Sequence, residues 1–184
     1  RRAGAGLTTG DLLTGVGIPA AMDGVDSVVH LATGGRDVDQ AKAAIDAALA
    51  ADVGHFVLIS IVGIDDIPLG YYKGKVQIEK YLAESGLPHT VLRATQFHQF
   101  VEGLFSAQKY SPVFFAPRFS FQPISTDEVA TRLAELAGGA PQGRVADIGG
   151  PQQLAAREIG LKWKQAKHLH RPVWTATFPG RTGT

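Results

Sequence analysis

The stretch His55–Phe97, HFVLISIVGIDDIPLGYYKGKVQIEKYLAESGLPHTVLRATQF, decides the fold. Phe56 to Ile61 is an apolar run of strand length, broken at Gly63. It reads as a buried parallel strand that carries a hydroxyl, Ser60, near its end. A loop with Pro68 and Gly70 follows. A helix opens near Tyr71 and runs to about Ser85, where Gly86 and Pro88 stop it. Tyr71 and Lys75 stand four apart, so they share one helical face. Thr90 to Leu92 is the next buried strand, and the polar tip Thr95-Gln96-Phe97 comes after it. These segments send Ser60, Tyr71, Lys75, Thr95 and Gln96 toward one edge of a sheet.

Working outward, Val25 to Ala32, VDSVVHLA, is a buried strand followed by Thr33-Gly34-Gly35. Gly-rich backbone at the carboxyl end of a strand is where α/β sheets receive ligands. His30 reads as a satisfied strand histidine, with no acidic or histidine neighbour in sequence to make a metal constellation. Asp37 to Asp52 is an amphipathic helix with Val38, Ala41, Ile45, Ala48 and Leu49 at helical spacing. Near the start, Gly4–Gly10 and Thr14–Gly17 have glycines at tempting intervals, but no strand precedes either. They read as two turns around a short strand.

Downstream, His98 to Lys109 reads as a helix with Phe100, Leu104 and Phe105 as wall residues. Ser111 to Gln122, aromatic and punctuated by prolines, suits a loop-rich lid or small substrate subdomain. Ser125 and Glu128 form a capping box for a helix that continues through Val129, Leu133 and Leu136 to Gly138-Gly139. Gly143 to Pro151 gives a late strand and Gln153 to about Gln165 a helix, before a tail rich in Pro, Gly and Thr. His168 and His170 stand two apart without a carboxylate close by, so no metal site is read there.

The 184 residues are 45% hydrophobic and 19% charged, the composition of an ordinary globular domain. A net charge of +1 without a long basic run gives no electrostatic footprint for nucleic acid. Zero cysteines exclude disulfides, cysteine–zinc sites and thiol nucleophiles, and fit a cytoplasmic protein. No apolar run approaches the ~20 residues of a membrane helix, and no charged start leads into an apolar signal core.

Ser60 with Tyr71-xxx-Lys75 resembles the Ser and Tyr-xxx-Lys of short-chain dehydrogenase/reductases. The phrasing around it, SIVGID, YYKGK and SGLPHTVLRATQFH, resembles the NmrA-like, atypical branch: NAD(P)H-binding proteins and quinone- or azo-reductase relatives. The likeness runs from about Leu7 to about Pro151. It implies an α/β, Rossmann-like, doubly wound parallel sheet with helices on both faces, as a single NAD(P)-binding domain. Residues 1–100 would be its cofactor-binding part, and 101–184 the substrate or lid region with a C-terminal strand and helix. The resemblance also implies a preceding strand–helix–strand whose glycine-rich turn holds the cofactor pyrophosphate at a helix N-terminus. Such a unit takes roughly 30 residues or more. None lies ahead of Leu7, so the domain reads as N-terminally truncated.

The same resemblance assigns roles. Leu7 to Leu12 matches the family's third strand and its Gly-Asp-Leu, which makes Asp11 a candidate neighbour of the adenine; a turn or helix-cap Asp is the other reading. Arg1 and Arg2 sit where NADP-selecting relatives place basic residues, and a guanidinium can bind a 2′-phosphate bidentately. A solvated terminal pair is the alternative there. Leu31, Ala32 and Thr33 would pack on the diphosphate–ribose portion, Thr95 and Gln96 would flank the nicotinamide, and Phe97 would also be cofactor-binding. Reducing a carbonyl leaves negative charge on oxygen, which a donor must neutralise. Tyr71 is the expected proton donor. Lys75, one turn away, would bring a tyrosine whose ordinary pKa is about 10 toward the operating range and would also hold the nicotinamide ribose. Ser60 would bond the substrate oxygen, and Tyr72 would pack.

The expected cofactor is NADP, with NAD possible. The expected partner is a small-molecule substrate, with neither nucleic acid nor membrane, and the chain is expected to be a monomer or homodimer. The function implied is NAD(P)H-dependent reduction of a small quinone, carbonyl or azo acceptor. The alternatives are a non-catalytic, redox-sensing NAD(P)-binding regulator of the NmrA type, or an inactive fragment.

Overall fold

The computed structural model describes residues 6–67 and 69–176. In chain order the elements are α1 (Ile18–Met22), β1 (Ser27–His30), α2 (Asp37–Ala50), β2 (His55–Ile61), α3 (Gly70–Glu84), β3 (His89–Ala94) and α4 (His98–Ser106). Then come β4 (Phe114–Pro117), β5 (Ser120–Phe121), α5 (Thr126–Ala137), β6 (Gly143–Arg144), β7 (Leu154–Ala155), α6 (Ala156–Ala166) and β8 (Val173–Ala176). They form two compact units. One holds the chain up to Ala94 together with Ala130–Asp147; the other holds Thr95–Val129 and the chain from Ile148 on.

The first unit is built on a four-stranded parallel sheet in the order β1-β2-β3-β6. Side chains alternate along each strand and stay in step across a parallel register. Val28 and His30 of β1, Phe56, Leu58 and Ser60 of β2, and Val91 and Arg93 of β3 therefore share one face. Phe56, Leu58 and Val91 pack there against Ala41, Ala44, Ile45 and Ala48 of α2 and Ile78 and Leu82 of α3. The small alanines let α2 lie close to the strands. On the other face, Thr90 Oγ1 stands 2.8 Å from His55 Nε2 and accepts a hydrogen bond from Gln142 N at 3.0 Å. Ser27 Oγ donates to Ala137 O, which brings the end of α5 to that side. The result is a Rossmann-like α/β sheet flanked by helices.

The second unit has a core of Val101, Phe105, Phe114, Ala116, Phe121, Ala156 and Val173. Two small sheets frame it, β4 parallel to β8 and β5 antiparallel to β7. Gly160 is required in α6, because a Cβ there would stand 2.7 Å from the Phe105 ring. At the start of α5, Ser125 N donates to Glu128 Oε2 and Asp127 N to Ser125 Oγ, the reciprocal capping expected from the sequence.

Several boundaries differ from the sequence reading. Leu7–Leu12 is not a strand: Leu7 is fully exposed, and the backbone closes on itself through Asp11 N to Val16 O and Gly15 N to Asp11 O. With Leu7 in solvent, Leu12 alone packed at the edge of the core and Asp11 bonded locally, the segment gains little from extension. β1 stops at His30, short of Ala32, and β6 spans two residues of the longer run Gly143–Pro151. Ser111–Gln122 contains the two short strands β4 and β5, and β8 forms in a stretch read only as tail.

One charged group sits inside the sheet face. Arg93 is 5% exposed. Its Nε and Nη2 donate to the two Glu79 carboxylate oxygens at 2.9 and 2.7 Å, and Nη1 and Nη2 donate to Asp65. The fork ties α3 and the loop after β2 to β3. Replacing Arg93 by Ala strands the mostly buried Glu79 carboxylate and is expected to cost about 3–5 kcal/mol in urea unfolding. Asp65→Asn, at a far more exposed carboxylate, is expected to cost much less by the same measurement.

Candidate functional site

Toward the carboxyl ends of the strands, the face covered by α2 and α3 changes from apolar to polar: His30, Ser60 and Arg93 follow the row Phe56, Leu58, Val91. The two helices meet closely here. A Cβ on Gly74 of α3 would stand 3.2 Å from Val38 Cγ2 of α2. The neighbouring residues, Lys75 after Gly74 and Asp37 before Val38, are thereby brought together. Lys75 Nζ lies 2.8 Å from Asp37 Oδ2, and each side chain is more than nine-tenths buried. The contact is an ion pair without hydrogen-bond angles, and Asp37 Oδ1 has no hydrogen-bond partner among the described residues. Asp37 opens α2, where the positive end of the helix dipole favours its charge.

Three more buried polar atoms in this unit lack a partner among the described residues: Ser60 Oγ and Gln40 Oε1, near the pair, and His55 Nδ1, on the opposite face of the sheet. Gln40, in the first turn of α2, reaches toward the loop after β1, 3.5 Å from where a Cβ on Gly34 would stand. Buried polar groups left unpaired cost about 1–3 kcal/mol each. A group of them beside the carboxyl ends of parallel strands, the usual ligand edge, makes this a candidate binding site.

Tyr71 and Lys75 do share a face of α3, with Lys75 Nζ 5.7 Å from the Tyr71 ring centroid. Tyr71 is half exposed and meets Tyr72 edge to face. Burial, and then Tyr71, pushes the Tyr72 phenol above its usual range, which suits a neutral packing residue. Leu31, Ala32 and Thr33 are exposed just past the end of β1. Asp11 forms a turn, its Oδ1 accepting from Leu13 N at 2.8 Å, and that bond holds its carboxyl below the usual range. Thr95, Gln96 and Phe97 belong to the second unit. There Thr95 Oγ1 donates to Gln122 O, Gln96 O accepts from Ile124 N, and Phe97 bridges to Ile124. Arg1 and Arg2 lie outside the described residues.

Sequence reasoning missed Asp37, Gln40 and Arg93. Asp37 looked like an ordinary helix opening, and its partner lies on a different helix. The available signal was Gly74, a glycine inside a helix beside Lys75, which marks a close helix approach.

The second unit has its own cavity, of about 520 Å³, between α4 and α6. Its wall is mainly apolar, with Val101, Phe105, Leu154 and Trp163, and the Phe105 and Trp163 rings stack at 5.8 Å. Glu102 pairs with Lys167 at its rim at 3.0 Å, and this bond holds the Glu102 carboxyl below the usual range. The volume is that of a small-ligand pocket. Among the described residues no His, Asp and Glu gather as a metal site, and no helix is long and apolar enough to cross a membrane.

His30 stacks on Phe56 at 5.9 Å. Burial holds its imidazole below the ordinary value, the Lys75 charge acts in the same direction, and Asp37 opposes them. On acidification the unfolded chain takes up this proton first, so the folded state loses stability as pH falls below about 6.5. His30→Gln is expected to flatten that part of the decline between about pH 7.5 and 5.5 in chemical unfolding. An unchanged pH slope would assign the decline to other groups.

The sequence matches the family described as NAD(P)H-binding over residues 1–138. No curated protein sequence matches the chain. Among solved structures, the NADPH-dependent quinone oxidoreductase of Escherichia coli complexed with NADPH superposes with a TM-score of 0.79. Identity is 20%, over 95% of this chain and 63% of that one. The Citrobacter triphenylmethane reductase complexed with NADP(H) gives 0.76 and 16%, over 95% and 64%. A nucleoside-diphosphate-sugar epimerase of Staphylococcus aureus gives 0.77 and 14%, over 96% and 65%. These identities describe a shared fold, and the chain spans less than two thirds of each of the three.

Proposed function

The chain belongs to the NAD(P)H-binding family, and on that premise we propose that it is an NAD(P)H-dependent oxidoreductase acting on a quinone. The observation that carries this reading is the set of buried, unpartnered polar atoms on α2 and β2, together with the buried Lys75–Asp37 pair. Asp37 Oδ1 and Gln40 Oε1 are acceptors that want donors, and Ser60 Oγ can donate or accept. Ribose hydroxyls and a carboxamide supply such groups, so these residues fit the sugar and nicotinamide portion of a dinucleotide. NADPH is the favoured form, because the two reductases above were solved with NADPH and NADP(H).

Bound there, a reduced nicotinamide supplies hydride to the acceptor. Lys75 holds a ribose hydroxyl with its ammonium. Ser60, buried and without a partner among the described residues, turns its hydroxyl to an oxygen of the ligands. Tyr71 is the candidate proton donor, but its hydroxyl is not bonded to Ser60, and the Lys75 charge is paired with Asp37. A quinone suits this arrangement better than a ketone. Its reduced oxygen is stabilised by the ring, and the proton it needs can come from water as well as from Tyr71.

The test is NADPH oxidation with menadione as acceptor, followed by loss of the dihydronicotinamide absorbance. Turnover is expected, and Tyr71→Phe is expected to slow it by less than about tenfold, well short of the ~10²–10⁴ share of a general acid. A fall within that larger range would restore Tyr71 as the proton donor. NADPH binding without turnover on any quinone would overturn the enzyme reading in favour of a redox sensor.

A further inference from the structure

The Lys75–Asp37 pair has an unused half. Oδ2 of Asp37 faces the ammonium at 2.8 Å, while Oδ1 is buried and has no hydrogen-bond partner among the described residues. An ionised carboxylate oxygen kept from both water and protein donors is costly. The cost is recovered when a ligand hydroxyl donates to it. The Lys75 ammonium beside it has three N–H donors and no acceptor. An acceptor oxygen next to a donor nitrogen, on two rigid helices, complements a vicinal diol: one hydroxyl donates to the carboxylate while its neighbour accepts from the ammonium.

We propose that Asp37 is a ligand-binding residue, and that Asp37 Oδ1 and Lys75 Nζ together clamp the two hydroxyls of a ribose. The assignment rests on the dinucleotide-binding reading above and adds to it a residue, an atom and a recognised group. Asp37 then has two tasks. It fixes the Lys75 side chain, whose long stem would otherwise adopt many rotamers, and it contributes a charged acceptor. Gly74 is part of the device, because the close approach of α3 to Val38 sets the distance between the two charges. His30, near both charges and kept neutral by burial, adds no competing cation to the face.

The experiment is a binding cycle that needs no turnover. NADPH, and an analogue whose nicotinamide-side ribose lacks both hydroxyls, are titrated by dihydronicotinamide fluorescence into the wild-type chain, Asp37→Asn and Asp37→Ala. A melting curve is recorded for each protein. Asp37→Ala is expected to weaken NADPH about tenfold to a hundredfold, the loss of a hydrogen bond to a charged acceptor. The same substitution should weaken the deoxy analogue by less than about threefold, because residue and hydroxyls remove one interaction between them. Asp37→Asn keeps an acceptor oxygen and nearly the same shape but leaves the buried Lys75 ammonium without its counter-ion, so its melting temperature should fall while its affinity for NADPH drops by an intermediate factor. Equal losses for both ligands would give Asp37 a purely structural role and overturn the clamp. So would an unchanged NADPH affinity in both variants. A wild-type chain that binds neither ligand would overturn the dinucleotide reading itself, and the clamp with it.

Discussion

The guanidinium of Arg93 holds the first unit in register with its helix. A cation placed inside a sheet face is tolerable only if its donors are matched, and Glu79 and Asp65 match them in a planar fork. Because Glu79 lies on α3, the fork fixes where that helix sits along the strands. Because Asp65 lies in the loop after β2, the same group pins the connection that delivers the chain to α3. The positions of Tyr71 and Lys75 relative to Ser60 follow from that pinning. Remove the charge and the helix would still have its apolar stripe, Ile78 and Leu82, but hydrophobic contact is non-directional and would hold its axial position less tightly.

Two kinds of contact therefore divide the work. Alanines along α2 and a glycine at position 74 permit close approach, which places charges near one another in a dry setting where their interaction is strong. The buried, partly unsatisfied polar atoms are the counterpart: left without partners, they lower the stability of the fold. The stable half of the sheet, Phe56 to Leu58 with its alanine cover, is apolar and closed. The other half, from His30 to Arg93, is polar and only partly satisfied.

How much of this could be read from the sequence differs between fold and site. The strand–helix–strand from His55 to Ala94 was legible because each signal is local: an apolar run, a helical period, and a Gly and Pro stop. The shared face of Tyr71 and Lys75 followed from spacing alone. Asp37 was not legible as a partner of Lys75, since the pair joins residues far apart in sequence through the packing of two helices. Arg93 was hidden inside the apolar phrase VLRA, where nothing local shows that its counter-ions come from a loop and from α3. Leu7–Leu12 was misread because the family likeness suggested a strand, whereas Asp11 offers the backbone a turn.

The order of the sheet has a consequence for synthesis. β6 supplies only two residues to the edge of β3, yet Thr90 must wait for Gly143 before it gains that neighbour. A chain emerging from the ribosome can complete β1, β2, β3 and their helices while all of the second unit's first segment is still being made. Through that interval β3 presents an open edge with Val91 and Leu92 beside it, the sort of template that recruits foreign strands. The shortness of β6 limits what it can seal, and Thr90, whose hydroxyl is hydrogen-bonded with His55 and accepts from Gln142 N, is the latch that closes the edge once β6 arrives.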